Sequence, residues 1–600
     1  MRRLSFRAIL PALLILLFTL GLAACGNDNG GEGGGQTASD FPPPTAAPDD
    51  AKKGGTLTLV GSGDVDYIDP GAGYYQATYI VDYPTQRALM GWPPDEAKSP
   101  QPDLADGEPQ VSDDFKTVTF KIKRGVHYSP PVNREVKAQD FKYAIERGLL
   151  PGVANGYFKS YAPLVGYDQA EAAVAKNDSV APNISGITTP DDHTLVLKLS
   201  KPASATTVQA LSLPIGSPVP EEYAKPFDAE SPSGYGSHVV STGPYMIEND
   251  SSGKLTGYSP GKSITLVRNP NWDPSTDYRP AYLDRIEVQE GFTDVNSAVR
   301  KVLTGDSQSL FDILPEPAGF KLAATQYPDQ LGLVAGSGDR YIAMNTQKPP
   351  FNDINVRKAV VAGFDRTAVR LARGGPLAGY IPTHFIFPLV PGFDESGGHK
   401  GFGFDFLSSP SGNSAVSAKY FRKAGFSSGK YEGPPITMVG ENAGVDKQVT
   451  EVVRSEFANL GFKVDLKEVS SDTMYTKFCN VPANMPDVCP TVGWIADFKD
   501  PQAVLDVPFN GEIIQPTNNY NWPLLNVPAI NKAIDTGRYV SDPSKRPQFW
   551  ANINRMITAQ APAIPYNWDT QPTVWSSNVN AVLNLNNATI DPSFTSLKNP

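Results

Sequence analysis

Histidine and cysteine are scarce in this chain: of 600 residues, five are histidine and three are cysteine. The histidines (His127, His193, His238, His384 and His399) are scattered, and no Cys or His pair has zinc spacing, so no metal centre is expected. Asp64, Asp66 and Asp69 lack the spacing and distal Glu of a calcium loop and read as turn initiators. No HExxH, Walker loop, dinucleotide fingerprint or fixed-period repeat occurs, so no cofactor is expected either. Basic residues are outnumbered, 52 against 63 acidic, for a net charge of −11. Such a surface repels phosphate backbones and argues against nucleic acid as a partner. At this length a core is available without disulfide scaffolding.

Long apolar runs are also absent, with one exception. Arg2, Arg3 and Arg7 precede an apolar run from Ala8 to Leu22, followed by Ala23, Ala24 and Cys25. This reads as a secretory signal, residues 1–24, with an uncleaved membrane anchor as the alternative. LAAC, residues 22–25, resembles a bacterial lipobox, which implies cleavage before Cys25 and lipid on its sulfur. Removing residues 1–24 takes away three arginines and no acid, and moves the net charge from −11 to −14. Residues 26–53, rich in Gly, Pro and Asp, read as a flexible tether, so that 25–53 is a lipidated cysteine and its leash. In an exported chain Cys479 and Cys489, ten positions apart, are expected to form a disulfide. Closing so short a loop contributes on the order of 2 to 3 kcal/mol, enough to pin a loop.

What is plentiful is Pro, 56, and Gly, 53, against an ordinary 40% hydrophobic and 19% charged content. Such a composition implies many turns and irregular connections. Leu57 and Leu59 alternate as a short strand, as do Val118, Phe120 and Ile122, and 192–199 and 263–268 are further strands. A helix is expected over 138–147, with Phe141, Ala144 and Ile145 on one face. Gly243 and Pro244 turn the chain before an apolar strand, and Trp272 reads as a packing residue in another turn. Ile436–Val439 form a strand, Val445, Val449, Val452, Val453, Phe457 and Leu460 recur at helical spacing, and Phe462, Val464 and Leu466 alternate. This βαβ unit predicts a largely parallel sheet in the second half.

One hydrolase-like pattern is present. GFSSG, residues 425–429, matches GxSxG, but a nucleophile elbow needs a strand before the serine and a helix after it, whereas the preceding segment reads as a helix stopped by Gly425. A secreted serine hydrolase using Ser427 is thus the alternative from another class, and a structural or adhesive surface lipoprotein is a third. No catalytic residue is assigned, and no two carboxylates pair as a glycosidase acid and base.

Several segments occur in the order of a known family. IDPG (68–71), PDLADGEPQVSDDFKTVTFKIKRGVHYSP (102–130), DFKYAIER (140–147), STGPY (241–245), RNPNW (268–272), MNTQKPPFNDINVRKAVVAGFDR (344–366), GWIADFKDP (493–501) and APAIPYNW (561–568) run in sequence. With them the chain resembles the extracytoplasmic solute-binding proteins, family 5, the peptide- and nickel-type receptor lipoproteins of ABC importers. The resemblance implies an α/β, two-lobed periplasmic-binding-protein-like fold of type II, in the large peptide-receptor class, with an extra subdomain in the first lobe. It implies lobe 1 over 54–310, with 570–600 returning to it, and lobe 2 over 311–569. It further implies a monomer held by lipid on the outer face of the cell membrane, with a peptide and importer permease subunits as partners. In peptide-binding members the acid of the WxAD segment pairs with the ligand's N-terminal ammonium, and here that position is Asp497. Gly493, Trp494 and Ile495 would line the same pocket, with Tyr74, Tyr75 and Gln76 facing it from the first lobe and Tyr566 and Trp568 beside it. An extended 399–415 and the Cys479–Cys489 loop depart from the family's pattern and leave the ligand open between peptides and nickel chelates, haem or oligosaccharides.

Overall fold

The computed structural model describes residues 38–600 except 97, 156, 178–181, 443 and 517–518. The signal segment, Cys25 and tether residues 26–37 lie outside the described residues. The first large sheet has the order β5-β1-β4-β3-β2, from β1 (Thr56–Gly61), β2 (Tyr245–Ile247), β3 (Ser263–Arg268), β4 (Arg285–Gln289) and β5 (Gln308–Phe311). β1 runs parallel to both β4 and β5, and β3 is antiparallel to its neighbours. The alternation of β1 puts Leu57 and Leu59 into one core and Val60 into another on the opposite face.

Inserted between β1 and β2 is an extra subdomain, an antiparallel sheet of Gln110–Val111, Thr117–Lys121, Thr194–Lys198 and Ile187–Asp191. Helix α2 (Ala138–Arg147) packs Phe141 and Ile145 into its core, and Asp140 accepts the Lys137 amide at its start. At the end of α2, Arg147 bonds both carboxylate oxygens of Asp69 at 2.7 Å and also Asp228. Asp66 accepts the amide of Tyr74 at 2.8 Å. The acidic 63–75 stretch is therefore a built turn whose own carboxylates fix the backbone that carries Tyr74.

The second large sheet has the order β7-β11-β6-β10-β8-β9, from β6 (Leu331–Met344), β7 (Gly379–Tyr380), β8 (Ile436–Glu441), β9 (Val464–Val469), β10 (Val488–Trp494) and β11 (Ala563–Val574). β8, helix α5 (Gly444–Asn459) and β9 form the βαβ unit, with β8 and β9 parallel over six residues. Its core takes Val449, Val453 and Phe457 from the helix. Strands β6 and β11 pass between the halves: Leu331, Leu333 and Val574 pack in a core of the first half, and Tyr341, Ile342, Ile564 and Tyr566 in those of the second.

Three expectations change. The second sheet is mixed and not largely parallel: β6 is antiparallel to both β10 and β11, β7 is antiparallel to β11, and only β8 pairs parallel, with β9 and β10, because the βαβ crossover is confined to that edge. Residues 313–333 pack with the first half, through Ile313, Phe320, Ala323, Leu331 and Leu333, so the crossing lies within β6 and later than position 310. Residues 41–53 are no free tether: Phe41 is buried, its carbonyl accepts the Leu333 amide at 3.0 Å, and Pro44 accepts from Leu583 at 2.7 Å. One aromatic in a polar stretch suffices to fasten it to the body.

Candidate ligand-binding site

β10 ends at Trp494, and helix α6 (Pro501–Phe509) begins after Asp500, whose side chain caps it at Gln502 N (2.8 Å) and is gripped twice by Arg546. The loop between them is thus fixed at both ends. Phe498 and Ala503 leave their own half and enter the core of the extra subdomain. Asp497, beside Phe498, consequently lies between the two halves.

Both carboxylate oxygens of Asp497 accept hydrogen bonds from the first half, one from the Tyr74 hydroxyl and one from Tyr161. Tyr161 closes the short helix α3 (Phe158–Tyr161) and packs its ring edge against Phe498 at 4.7 Å. Tyr74 stacks on Tyr157 at 5.1 Å. Among the described residues no Lys, Arg or His pairs with Asp497. Desolvation raises its pKa above the ordinary 3.8, and the two tyrosine bonds pull the other way. Desolvation of the hydroxyls, with the carboxylate beside them, raises both phenol pKa values and leaves both able to donate. The arrangement is a half-buried carboxylate oriented by two neutral donors, with no cation paired to it among the described residues.

Around it the surface is aromatic. Trp494 donates from its indole to the Ala503 carbonyl at 2.6 Å and faces Tyr520 and Trp522 at 5.8 and 6.1 Å. Tyr74, Tyr75, Ile495 and Tyr520 are all exposed despite their size, an uncommon grouping of large apolar side chains around one acid. Gly493 pairs with Arg340, and a side chain there would meet Arg340 Cδ at 2.4 Å. Arg340 in turn bonds Asp569 at 2.7 Å, which Arg373 also holds.

The structure therefore brings Tyr74 to Asp497 and leaves Trp494 and Ile495 on the same loop. Gln76, on helix α1 (Gln76–Thr85), is engaged elsewhere, its amide bonded to the Asn587 carbonyl. Tyr566 and Trp568 are not at this surface. Both are fully buried, Tyr566 in the core against α5 and Trp568 against His384 and Phe393 at 5.0 and 5.3 Å. They stand on β11, which has neighbours on both edges and layers on both faces, so alternate side chains of both sets are inside. Tyr161, Tyr157 and Tyr520 were missed, because nothing local to YFKSY (157–161) ties it to an acid 336 positions away. Cys479 and Cys489 are joined by a disulfide that fastens the segment leading into β10. Ser427 is exposed after helix α4 (Ser414–Lys423), with strand β8 the next regular element, the reverse of a nucleophile elbow.

The model of the bacterial extracellular solute-binding proteins, family 5 (middle region), matches residues 99–514. The chain belongs to this family. Members are extracellular binding proteins of ABC importers, and among the described residues no helix is long and apolar enough to cross a membrane. Among related proteins is the oligopeptide-binding protein OppA of Bacillus subtilis, 23% identical over 80% of this chain and 83% of the relative. Among solved structures, the clavulanic acid biosynthesis oligopeptide binding protein 2 superposes with a TM-score of 0.79 at 25% identity, covering 92% of this chain and 99% of its own. The Haemophilus influenzae OppA complex with the peptide RPPGFSPFR gives 0.65 at 17% identity, over 91% and 100%. The two-lobed α/β fold of this solute-binding protein is the fold of those receptors.

Proposed function

We propose that this solute-binding protein captures peptides between its two lobes and delivers them to an ABC importer, as a monomer held by lipid on Cys25 at the outer face of the cell membrane. On this reading the lobes divide within β6 and β11, so that residues 54 to about 334 and 575 to 600 form one and about 335 to 574 the other. The observation that carries the reading is Asp497: a half-buried, desolvated carboxylate between the halves, oriented by two hydroxyls and without a cation among the described residues. A peptide's ammonium supplies the missing charge, and in an enclosed site that charge-assisted bond is far stronger than in open water. The ligands that relatives are named for, oligopeptides and RPPGFSPFR, agree with it. The exposed aromatic surround offers apolar contact to varied side chains, while main-chain groups of an extended ligand bond as an added strand does.

The decisive experiment is mass spectrometry of what co-purifies with the mature protein from rich medium, followed by calorimetry of the recovered compounds on wild type and Asp497→Ala. Peptides whose affinity falls by roughly 2 to 5 kcal/mol in the variant are the expected result. Recovery of ligands without an amino group, or equal affinity in both proteins, overturns the reading.

A further inference from the structure

Lys499 stands two residues after the anchor and is buried, at 3% exposure. It forms no ion pair among the described residues. On its own segment Asp497 is taken by two tyrosines and Asp500 by Arg546. On β6 the acid is Asp339, buried and with its pKa raised by desolvation and by Asp569, and the base is Arg340, paired with Asp569. From the segment before Pro388 it meets an uncharged ring, that of Phe387, at 5.8 Å. Its one hydrogen bond goes to the carbonyl of Gly336, at 3.2 Å. Burying an ammonium on a single carbonyl costs several kcal/mol of solvation, and removing it would leave the Gly336 carbonyl without this donor.

Gly336 marks an irregularity in β6. Ala335 pairs with Thr570 and Gly338 with the adjacent Asp569, so two residues of β6 bulge out of the ladder. The bulge falls where β6 leaves the first half's core at Leu333 and enters the second's at Tyr341. Gly336 has φ +73° there, and a Cβ would sit 2.3 Å from the Pro388 carbonyl oxygen, so the position admits only glycine. A Cβ on Gly338, at the other end of the bulge, would lie 2.9 Å from the Trp494 carbonyl oxygen, at the point where β10 runs into the anchor loop.

We propose that Lys499 is a positioning residue that ties the loop carrying Asp497 to the bulge of β6, so that the angle between the halves and the placement of the carboxylate change together. It rests on the receptor reading only for what the carboxylate grips. The amine donates to the Gly336 carbonyl in either charge state, and desolvation lowers its pKa to about 8. The buried arrangement is therefore penalised below that value and relieved as pH rises through it, since opening would have to return the amine to its ordinary pKa.

Hydrogen exchange read by mass spectrometry on the mature full-length protein, with no ligand added, tests it. Lys499→Met is expected to speed exchange about tenfold in peptides covering 331–344 and 563–574, with α5 unchanged, and Lys499→Arg to retain wild-type protection. In wild type, exchange in those strands, corrected for its intrinsic pH dependence, falls between about pH 7 and pH 9 as Lys499 deprotonates, because opening returns the amine to its ordinary, higher pKa, and in Lys499→Met it is flat. A pooled tripeptide library then reads the coupling to the site, and any tripeptide bound by wild type is expected to bind Lys499→Met at least fivefold more weakly. Unchanged exchange in both strands, an equal rise in α5, a flat wild-type profile, or undiminished binding of such a tripeptide each overturns the proposal. If no library member binds wild type, the receptor reading fails while the exchange arms still decide the role of Lys499. Should Lys499→Met not fold, the wild-type profile and Lys499→Arg decide it alone.

Discussion

At the scale of single residues, the site is an unfinished charge balance. Desolvation disfavours the charge on Asp497, and Tyr161 and Tyr74 offset part of that penalty by donating to it. A cationic ligand favours the ionised form, so affinity is full where Asp497 is charged and falls as pH drops through its raised pKa, above the usual 3.8. Tyr161→Phe removes one of the lowering bonds and moves that loss to higher pH. Calorimetry between about pH 4 and pH 7 should show the Tyr161→Phe curve displaced upward in pH, with about 1 kcal/mol lost at neutrality. A curve coincident with wild type would mean that the hydroxyl does not set the charge of the acid.

At the scale of elements, the aromatic packing on β11 explains a second titration. His384 is fully buried against Trp568, Phe393 and Phe402, and desolvation lowers its pKa to about 3 from the ordinary 6.5. The fold holds the neutral ring, so its contribution is whole above 6.5 and is lost as pH falls toward 3. Near pH 5 that is about 2 kcal/mol at 1.4 kcal/mol per unit. Urea denaturation at pH 7 and 5 should show His384→Gln losing less stability over that interval than wild type, by about this difference. This buried ring also shows where the sequence stops being readable. Helix Ala138–Arg147 and the β8–α5–β9 unit were legible because Phe141, Ala144 and Ile145, or Val449, Val453 and Phe457, repeat at the period of the element that buries them. The segment GWIADFKDP singles out Asp497 through its likeness to a family, and its part in holding a ligand is the proposal made above. Tyr566 and Trp568 were misplaced because a strand covered on both faces shows no alternation to distinguish core from cleft. Tyr161 and Lys499 were invisible because their meaning depends on partners 336 and 163 positions away, and no local pattern records a contact at that range. Phe41 belongs with them: Phe41→Ala should cost about 3 kcal/mol of stability, seen as a lower urea midpoint, if the segment is fastened as its burial indicates.

At the scale of the whole molecule, two kinds of link join the lobes. The covalent one is the pair β6 and β11, which nothing short of unfolding removes. The other is the contact at Asp497, where two hydroxyls from the first lobe meet a carboxylate of the second and Phe498 packs beside Tyr161. Hydrogen bonds to a charged group contribute roughly 1.5 to 3 kcal/mol each, so the pair is large beside the few kcal/mol that separate two conformers of a hinged protein. Each such bond removed multiplies the population of the open form by about tenfold or more. Small-angle scattering without added ligand should therefore give a larger radius of gyration for Tyr74→Phe/Tyr161→Phe than for wild type, since phenylalanine keeps the rings and deletes only the donors. Saturating ligand should return the double variant to the wild-type value, because the ligand's cation takes over the carboxylate and bridges the lobes itself. Equal radii in both proteins before ligand would show that the interlobe angle is set by the crossing strands alone and that the tyrosines serve only to orient the acid.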